Sequence, residues 1–479
     1  MQVAGGWPGC ARMTAAAGGM SGRMEVDVIE TSSLGDRSYV VASDVAVVVI
    51  DPQRDIDRIT RLLGDRAERI THVLETHLHN DYVTGGLELS RATGAEYVVP
   101  AGDEQLGYPA RRVGDGDVIE AGDFSLRVVH TPGHTREHVS YVLTAASGET
   151  VGVFTGGSML FDTTGRTDLL GAEHAHELTV DQYRSVRRLA SELPADAAVY
   201  PTHGFGSFCS ADTAGRDSST VGEQRRTNPA LTKDEETFVE ELLAGLSDYP
   251  AYYEHMGVIN RNGPEAVDLS EPAPVDPAEL RRRIETGEWV VDLRSRTAFA
   301  AGHLGGSYGF ELSDSFITYL GWLYAWGEPL TLIGDDADQI ATARRELVRI
   351  GVDDVRGAAT GDIQQLADGS ELRAYRVADF GALVTEIRRD DVAVLDVRRE
   401  DEFGDGHVRK AINIPVHELT RRLDELPDAE IWVHCASGYR ASVAASILDK
   451  YGRTAVLVDD KFGAAEELGL TEAGRKSAG

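Results

Sequence analysis

A strand-like run, Thr71-His72-Val73-Leu74-Glu75-Thr76, ends in His77-Leu78-His79-Asn80-Asp81. His130-Thr131-Pro132-Gly133-His134 and Pro201-Thr202-His203 follow at later turns. Two histidines two positions apart, just beyond a strand, can both turn toward one ion, and a further imidazole from a distant loop completes one face of its coordination sphere. The Thr-Pro-Gly turn fixes the backbone that carries His134. His77, His79 and His134 are therefore the expected metal ligands. Asp81 and His203 are placed for a second metal position or for the outer shell. A lone histidine is usually structural. Five such groups in this order require a fold that gathers several loops at one edge of a sheet.

The flanking sequence can supply that fold. Runs at 39–41 and 46–51 read as consecutive strands, 56–63 as a helix, 71–76 as the strand before the histidines and 85–92 as a helix after them. Further strands are expected at 124–130, 139–143 and 151–154, a helix at 181–192, and a short strand at 198–200 before His203. Strand, polar loop and helix in repetition make an α/β sandwich with its site on the loop edge.

The 479 residues are enough for about three domains of ordinary size. With 47 Lys and Arg against 79 Asp and Glu, the net charge of −32 argues against nucleic acid or an anionic membrane as partner. Only Cys10, Cys209 and Cys435 are present, so no disulfide framework can form, and a reducing, cytoplasmic location is expected. No apolar run approaches the roughly 20 residues of a membrane span. Residues 1–23 lack the apolar stretch of a signal peptide and are expected to form a disordered N-terminal extension.

Near the C-terminus, Ile431-Trp432-Val433-His434 leads into Cys435-Ala436-Ser437-Gly438-Tyr439-Arg440 and a helix at 442–450. Small, turn-forming residues between a strand and a helix form a cradle whose backbone N–H groups favour an anion. Cys435 is the expected nucleophile and Arg440 the expected catalytic fork for an anionic substrate. Ala436, Ser437, Gly438 and Tyr439 form the expected substrate loop. An internal repeat precedes this stretch. Val291-Asp292-Leu293-Arg294, Phe299 and Gly302-His303 match Leu395-Asp396-Val397-Arg398, Phe403 and Gly406-His407 at a constant offset of 104. In the earlier copy Gly334 replaces the nucleophile and Gln339 the arginine, and Asp335, Asp336 and Asp338 stand where an anion would bind. That copy cannot run the same chemistry and reads as a spacer or docking module. Pro and acidic residues make 264–277 a linker, with 367–370 as the seam between the copies. The expected organisation is thus an extension (1–23), a metal-binding domain (24–263), a linker (264–277), an inactive copy (278–366) and an active copy (371–472).

The histidine constellation resembles the metallo-β-lactamase fold over 24–260, an αββα sandwich, and within it the persulfide dioxygenases. That resemblance implies one mononuclear non-haem iron, Fe(II), held by two His and one Asp, with positions left for substrate sulfur and O2. It maps two of the ligands onto His77 and His134; zinc is the alternative metal. Thioester hydrolases of this fold carry a further histidine after His-x-His-x-Asp. Here Tyr82 stands there, which argues against a binuclear zinc hydrolase of glyoxalase II type. The dioxygenase aspartate follows a Thr-Gly pair, but Phe154-Thr155-Gly156-Gly157-Ser158 places Gly157 at that position, while Gly165-Arg166-Thr167-Asp168-Leu169 still matches. Three arrangements stay open: His79 closes a three-histidine site, water fills the gap, or the domain is a metal-free scaffold and only sulfur transfer remains. Cys209, six residues after His203, is a candidate sulfur carrier or else a small buried apolar residue.

Asp396-Val397-Arg398, Gly406-His407 and Ala411-Ile412-Asn413-Ile414-Pro415, with a Cys-x4-Arg loop, resemble a rhodanese domain. The related phosphatases carry a loop one residue longer. The resemblance implies that Cys435 accepts sulfane sulfur as a persulfide, with Asp396 and His407 as scaffold. The two resemblances together imply a bifunctional enzyme. It would oxidise a low-molecular-weight thiol persulfide with O2 to sulfite, and would pass sulfane sulfur between persulfide, sulfite and thiosulfate. A homo-oligomer is expected on the same ground.

Overall fold

The computed structural model describes residues 10–13, 24–103, 105–204, 206–210 and 216–473. The chain divides into two compact units, Met1–Asp268 with Val348–Gly351, and Leu269–Leu347 with Val352–Gly479.

The first unit is built on two mixed sheets. One runs in sequence order through β1 (Cys10–Met13), β2 (Glu25–Thr31), β3 (Asp36–Ala42), β4 (Val47–Ile50), β5 (Ile70–Leu74), β6 (Glu96–Pro100) and β7 (Arg111–Val113), antiparallel up to β4 and parallel beyond it. The other has β8 (Val118–Ala121), β9 (Phe124–His130), β10 (Val139–Ala145), β11 (Thr150–Gly156) and β12 (Ala198–Pro201), of which β11 and β12 are parallel. Alternation explains the layers. Val48 and Ile50 point between the sheets, with Tyr39, Val41, Leu126, Val128, Tyr141 and Phe154. Val47 and Val49 point outward, where α1 (Asp57–Leu63) and α2 (Gly86–Thr93) cover them with Ile59, Leu63 and Leu87. On the far face α3 (Ala172–Glu192) packs Val186 and Leu189 onto Val142 and Val153. Both faces of each sheet are thereby covered, as an αββα sandwich requires. This is also why β4 is apolar at every position.

Two sequence expectations are corrected here. Cys10–Met13 pair with β2 instead of lying in a disordered extension; the rest of 1–23 lies outside the described residues. The helix expected at 181 starts at Ala172. Interspersed His and Glu mask its apolar stripe, yet Ala175, Leu178, Thr179 and Gln182 are buried at helical spacing.

The second unit holds two parallel-stranded sheets. One has the order β14 (Tyr308–Gly309), β13 (Trp289–Asp292), β15 (Leu330–Gly334), β16 (Val355–Thr360). The other has the order β17 (Arg376–Ala378), β22 (Ala455–Val458), β21 (Glu430–His434), β18 (Val392–Asp396), β20 (Ile412–Asn413), with a small antiparallel pair β19 (His407–Val408) and β23 (Thr471–Glu472) beside it. The internal repeat is reproduced in side-chain detail. Arg294 and Arg398 each grip the preceding aspartate, with Nη2–Oδ2 distances of 2.7 Å in both copies. His303 and His407 stack on Phe299 and Phe403 at 4.0 and 3.9 Å. Among the described residues no helix is long and apolar enough to cross a membrane.

Candidate functional site

The histidines collect at the C-terminal ends of β5 and β12 and in the turn between β9 and β10, with Asp51 at the end of β4. Asp51 organises this edge. It follows β4 in a left-handed conformation (φ 51°), a strained state for an aspartate. Its carboxylate accepts the Thr76 N–H at 2.7 Å and the Thr76 hydroxyl at 2.8 Å, and also the Thr202 hydroxyl. One buried carboxylate thus ties the His77 loop to the His203 loop.

His77, His134 and His203 each offer a nitrogen within 4.8 Å of the others, and the His77 and His203 Nε2 atoms are 3.4 Å apart. Each ring is set by what holds its other nitrogen. The Thr76 hydroxyl donates to Asp51 and so accepts from His77 Nδ1 at 2.9 Å. His134 Nδ1 donates to the Arg166 carbonyl at 2.8 Å, and His203 Nδ1 donates to Asp36 at 2.9 Å. His134 Nε2 is buried and has no hydrogen-bond partner among the described residues, as a metal ligand's lone pair should be. The donor set therefore fits a metal ion.

His79 sits differently. Its Nε2 is held by Asp51 and Glu75, each at 3.2 Å, and by the Tyr82 hydroxyl at 3.0 Å; only its buried Nδ1 is left toward the cluster. His79 groups with Asp81 and His203, not with His77 and His134. Burial alone would keep it neutral, but the Asp51 and Glu75 charges push its pKa up to about 10. His134 is pushed down to about 3 by burial and by the nearby His203 charge. Asp81 lies 3.2 Å from His203 Nδ1.

At the position of the family's aspartate, Gly157 lies flat against the His134 ring. A Cβ there would sit 2.6 Å from His134 Cγ and 2.8 Å from Nε2. No side chain can stand at 157 while His134 keeps its place. His138, which the sequence reading did not single out, fills the neighbouring space. It stacks on His77 at 5.0 Å and accepts the Gly157 N–H at 3.0 Å. Asp36, Asp51 and Glu75 were likewise not foreseen, because isolated carboxylates at strand ends carry no spacing signal. Cys209 is fully buried; burial pushes its thiol well above the ordinary range, and Arg166 donates its N–H to the Cys209 carbonyl at 2.9 Å.

In the second unit, Cys435 follows β21 and is 1% exposed. The Gly438 N–H points at its Sγ at 3.2 Å, and a helix (Tyr439–Lys450) starts from the loop. Gly438 has φ 92°, and a Cβ there would overlap the Asp459 carboxylate, so only glycine fits. Ser437 is exposed at the loop's tip, Ala436 accepts the Phe462 N–H at 2.9 Å, and Tyr439 is buried. The fork of Arg440, expected to hold the anionic substrate, grips Glu402 at 2.6 and 2.8 Å beside the loop. In the other copy the loop is plugged. Gln339 accepts the Asp335 N–H at 2.7 Å and donates to the Leu293 carbonyl at 3.0 Å.

A Metallo-beta-lactamase superfamily profile matches residues 36–203, and a Rhodanese-like domain profile matches 380–462. The mitochondrial persulfide dioxygenase ETHE1 of Homo sapiens is 32% identical over 246 residues, 51% of this chain and 82% of that protein. The chain belongs to the persulfide dioxygenase family. The Bos taurus ETHE1 is 31% identical over 245 residues, with the same shares covered. A metallo-beta-lactamase crystal structure from Staphylococcus aureus subsp. aureus COL aligns with 72% of this chain and all of that one, with a TM-score of 0.64 and 28% identity. Persulfide dioxygenase homology at one end and a rhodanese-like domain at the other place the chain in sulfur metabolism.

Proposed function

We propose that this chain oxidises a low-molecular-weight thiol persulfide with O2 at a mononuclear metal held by His77, His134 and His203, and moves sulfane sulfur through Cys435. The observation that carries the reading is the convergence of those three imidazoles beside a glycine that leaves no room for the usual carboxylate. A mononuclear non-haem Fe(II) would supply the redox chemistry between persulfide and O2. The outer sulfur gains both atoms of O2 and one oxygen from water, and leaves as sulfite beside the free thiol. The chain's own residues hold the frame: Arg166 and Asp36 fix the ring orientations of His134 and His203, and Asp51 fixes both loops. A cavity of about 440 Å³ is lined by Leu78 and Thr135, the sequence neighbours of the histidines, and by Arg112, Arg136, Glu137 and Glu254. That size and mixed charge suit a small thiol bearing groups of both signs.

At the second site the Cys435 thiolate attacks the sulfane sulfur of a donor such as thiosulfate. A new S–S bond forms at Sγ, the donor S–S bond breaks, and sulfite leaves with its electron pair. The loop N–H groups stabilise the persulfide anion that remains. A binuclear hydrolase would need the second group, His79 with Asp81 and His203, and there Tyr82 stands in place of a further histidine and spends its hydroxyl on His79 and the Asp51 carbonyl.

The test is metal analysis of anaerobically purified protein together with O2 consumption on a thiol persulfide. Iron equimolar with the chain and persulfide-dependent uptake support the reading. Zinc without uptake returns the chain to hydrolysis, and no metal with no uptake leaves a sulfurtransferase on a scaffold.

A further inference from the structure

The plugged copy does more than space the chain. Its helix Phe316–Leu323 is apolar almost throughout and lies against Val416–Arg421, beside the Cys435 loop. From that helix Tyr319 meets the Tyr439 ring at 5.6 Å and Trp322 at 6.1 Å, and Trp322 stacks on His417 at 4.7 Å. The Tyr439 hydroxyl donates to the Glu311 carbonyl at 3.1 Å. Arg296 of the same copy bridges Glu311 at 2.9 Å and Asp459 at 2.8 Å, and Asp459 is the carboxylate against which Gly438 is packed. The far end of the Cys435 helix is held too: His303 and Arg373 bind Asp449 at 3.0 and 2.9 Å. The reactive loop is therefore pressed from one side by a copy that has no nucleophile of its own.

Tyr319 is the polar member of this wall. It is largely buried; burial first, with the Cys435 and Glu402 charges, raises its pKa against the opposite pull of Arg440 and Arg399. A neutral phenol O–H can donate to an anion, and Arg440, the residue expected to do so, is occupied by Glu402.

We infer that the plugged copy completes the sulfur-transfer site, with Tyr319 as the residue that contacts the anionic donor over Cys435 and sets donor preference. This rests on the reading of Cys435 as the sulfane-sulfur acceptor. A hydrogen bond to a charged group, once removed, costs about tenfold or more in affinity.

The experiment uses the full-length chain. Thiosulfate loading of Cys435 is followed by intact mass, and steady-state transfer from thiosulfate to cyanide is measured for wild type, Tyr319→Phe and Tyr319→Leu, with thermal unfolding as the folding control. Tyr319→Phe, which keeps the ring, should raise KM for thiosulfate about tenfold while changing kcat less than threefold and leaving the unfolding midpoint in place. Tyr319→Leu should reproduce the KM effect if it folds. A wild type that loads sulfur while Tyr319→Phe keeps the wild-type KM overturns the inference alone. A fall in kcat and unfolding midpoint with KM unchanged would also overturn it, since that marks packing only. A wild type that loads no sulfur on Cys435 overturns the underlying reading and the inference with it.

Discussion

Gly157 decides what the metal centre can be. Its Cα lies so close to the His134 ring that even a methyl group would have to displace that ring, and a Cβ at Gly165 would meet the same ring at 2.8 Å. Restoring the family's carboxylate by Gly157→Asp should therefore remove metal instead of strengthening the site, with occupancy falling at least tenfold at limiting iron. Gly157→Ala should do much the same, which separates collision from carboxylate chemistry. Metal analysis of both variants after identical loading is the check; an aspartate variant holding as much iron as wild type would show that the pocket can reopen. His203 is the counterpart. Here His203→Ala should empty the centre, while Asp36→Asn, which only loosens the ring's anchor at Nδ1, should weaken metal binding about 10- to 100-fold. Equilibrium dialysis with a competing chelator distinguishes the two.

At the scale of the element, the helix Tyr439–Lys450 is held at its C-terminal end by an acid clamp, and that clamp has a pH signature. Burial alone would raise the pKa of Asp449, but the His303 and Arg373 bonds hold it below the ordinary carboxylate value. A carboxylate lowered in the folded state adds stability above its unfolded pKa, near 4, and loses it as the pH falls through the folded value. The gap in denaturant midpoint between wild type and Asp449→Asn should then be present at pH 7 and narrow below about pH 4; an equal gap at both would sink this account of the clamp. The elements themselves were largely legible. Uninterrupted apolar runs such as Val47–Ile50 and alternating ones such as Phe124–His130 name their strands, because both sheet faces are covered in the first case and burial alternates in the second. The Asp-x-Arg and Gly-His pairs announced the repeat for the same kind of reason, since each makes local contacts of fixed spacing. Long-range pairings were not legible. Nothing near Arg440 announces Glu402, thirty-eight positions away, as the holder of its fork. The His-x-His spacing does not tell that Asp51 and Glu75 hold the His79 Nε2, or that His203 groups with His77 and His134.

For the whole molecule, the two chemistries draw on separate sets of residues. Every ligand and anchor of the histidine cluster lies in the first unit, and Cys435 with all its bracing side chains lies in the second. The sites should therefore fail independently. A chelator that strips the metal should abolish persulfide-dependent O2 uptake while thiosulfate still loads sulfur on Cys435; Cys435→Ser should lose the loading while O2 uptake persists. In the proposed function the two sites share an intermediate. Sulfite released at the metal centre would be a sulfur acceptor for a Cys435 persulfide, and one chain would supply both sites in equal number. With a thiol persulfide as sole substrate, wild type should then release mainly thiosulfate, whereas Cys435→Ser should release sulfite at a comparable rate of O2 uptake. Ion chromatography of the anions against O2 consumed reads both quantities in one experiment. If wild type and the serine variant gave the same sulfite-to-thiosulfate ratio, the second site would have no part in the fate of the sulfur oxidised at the first.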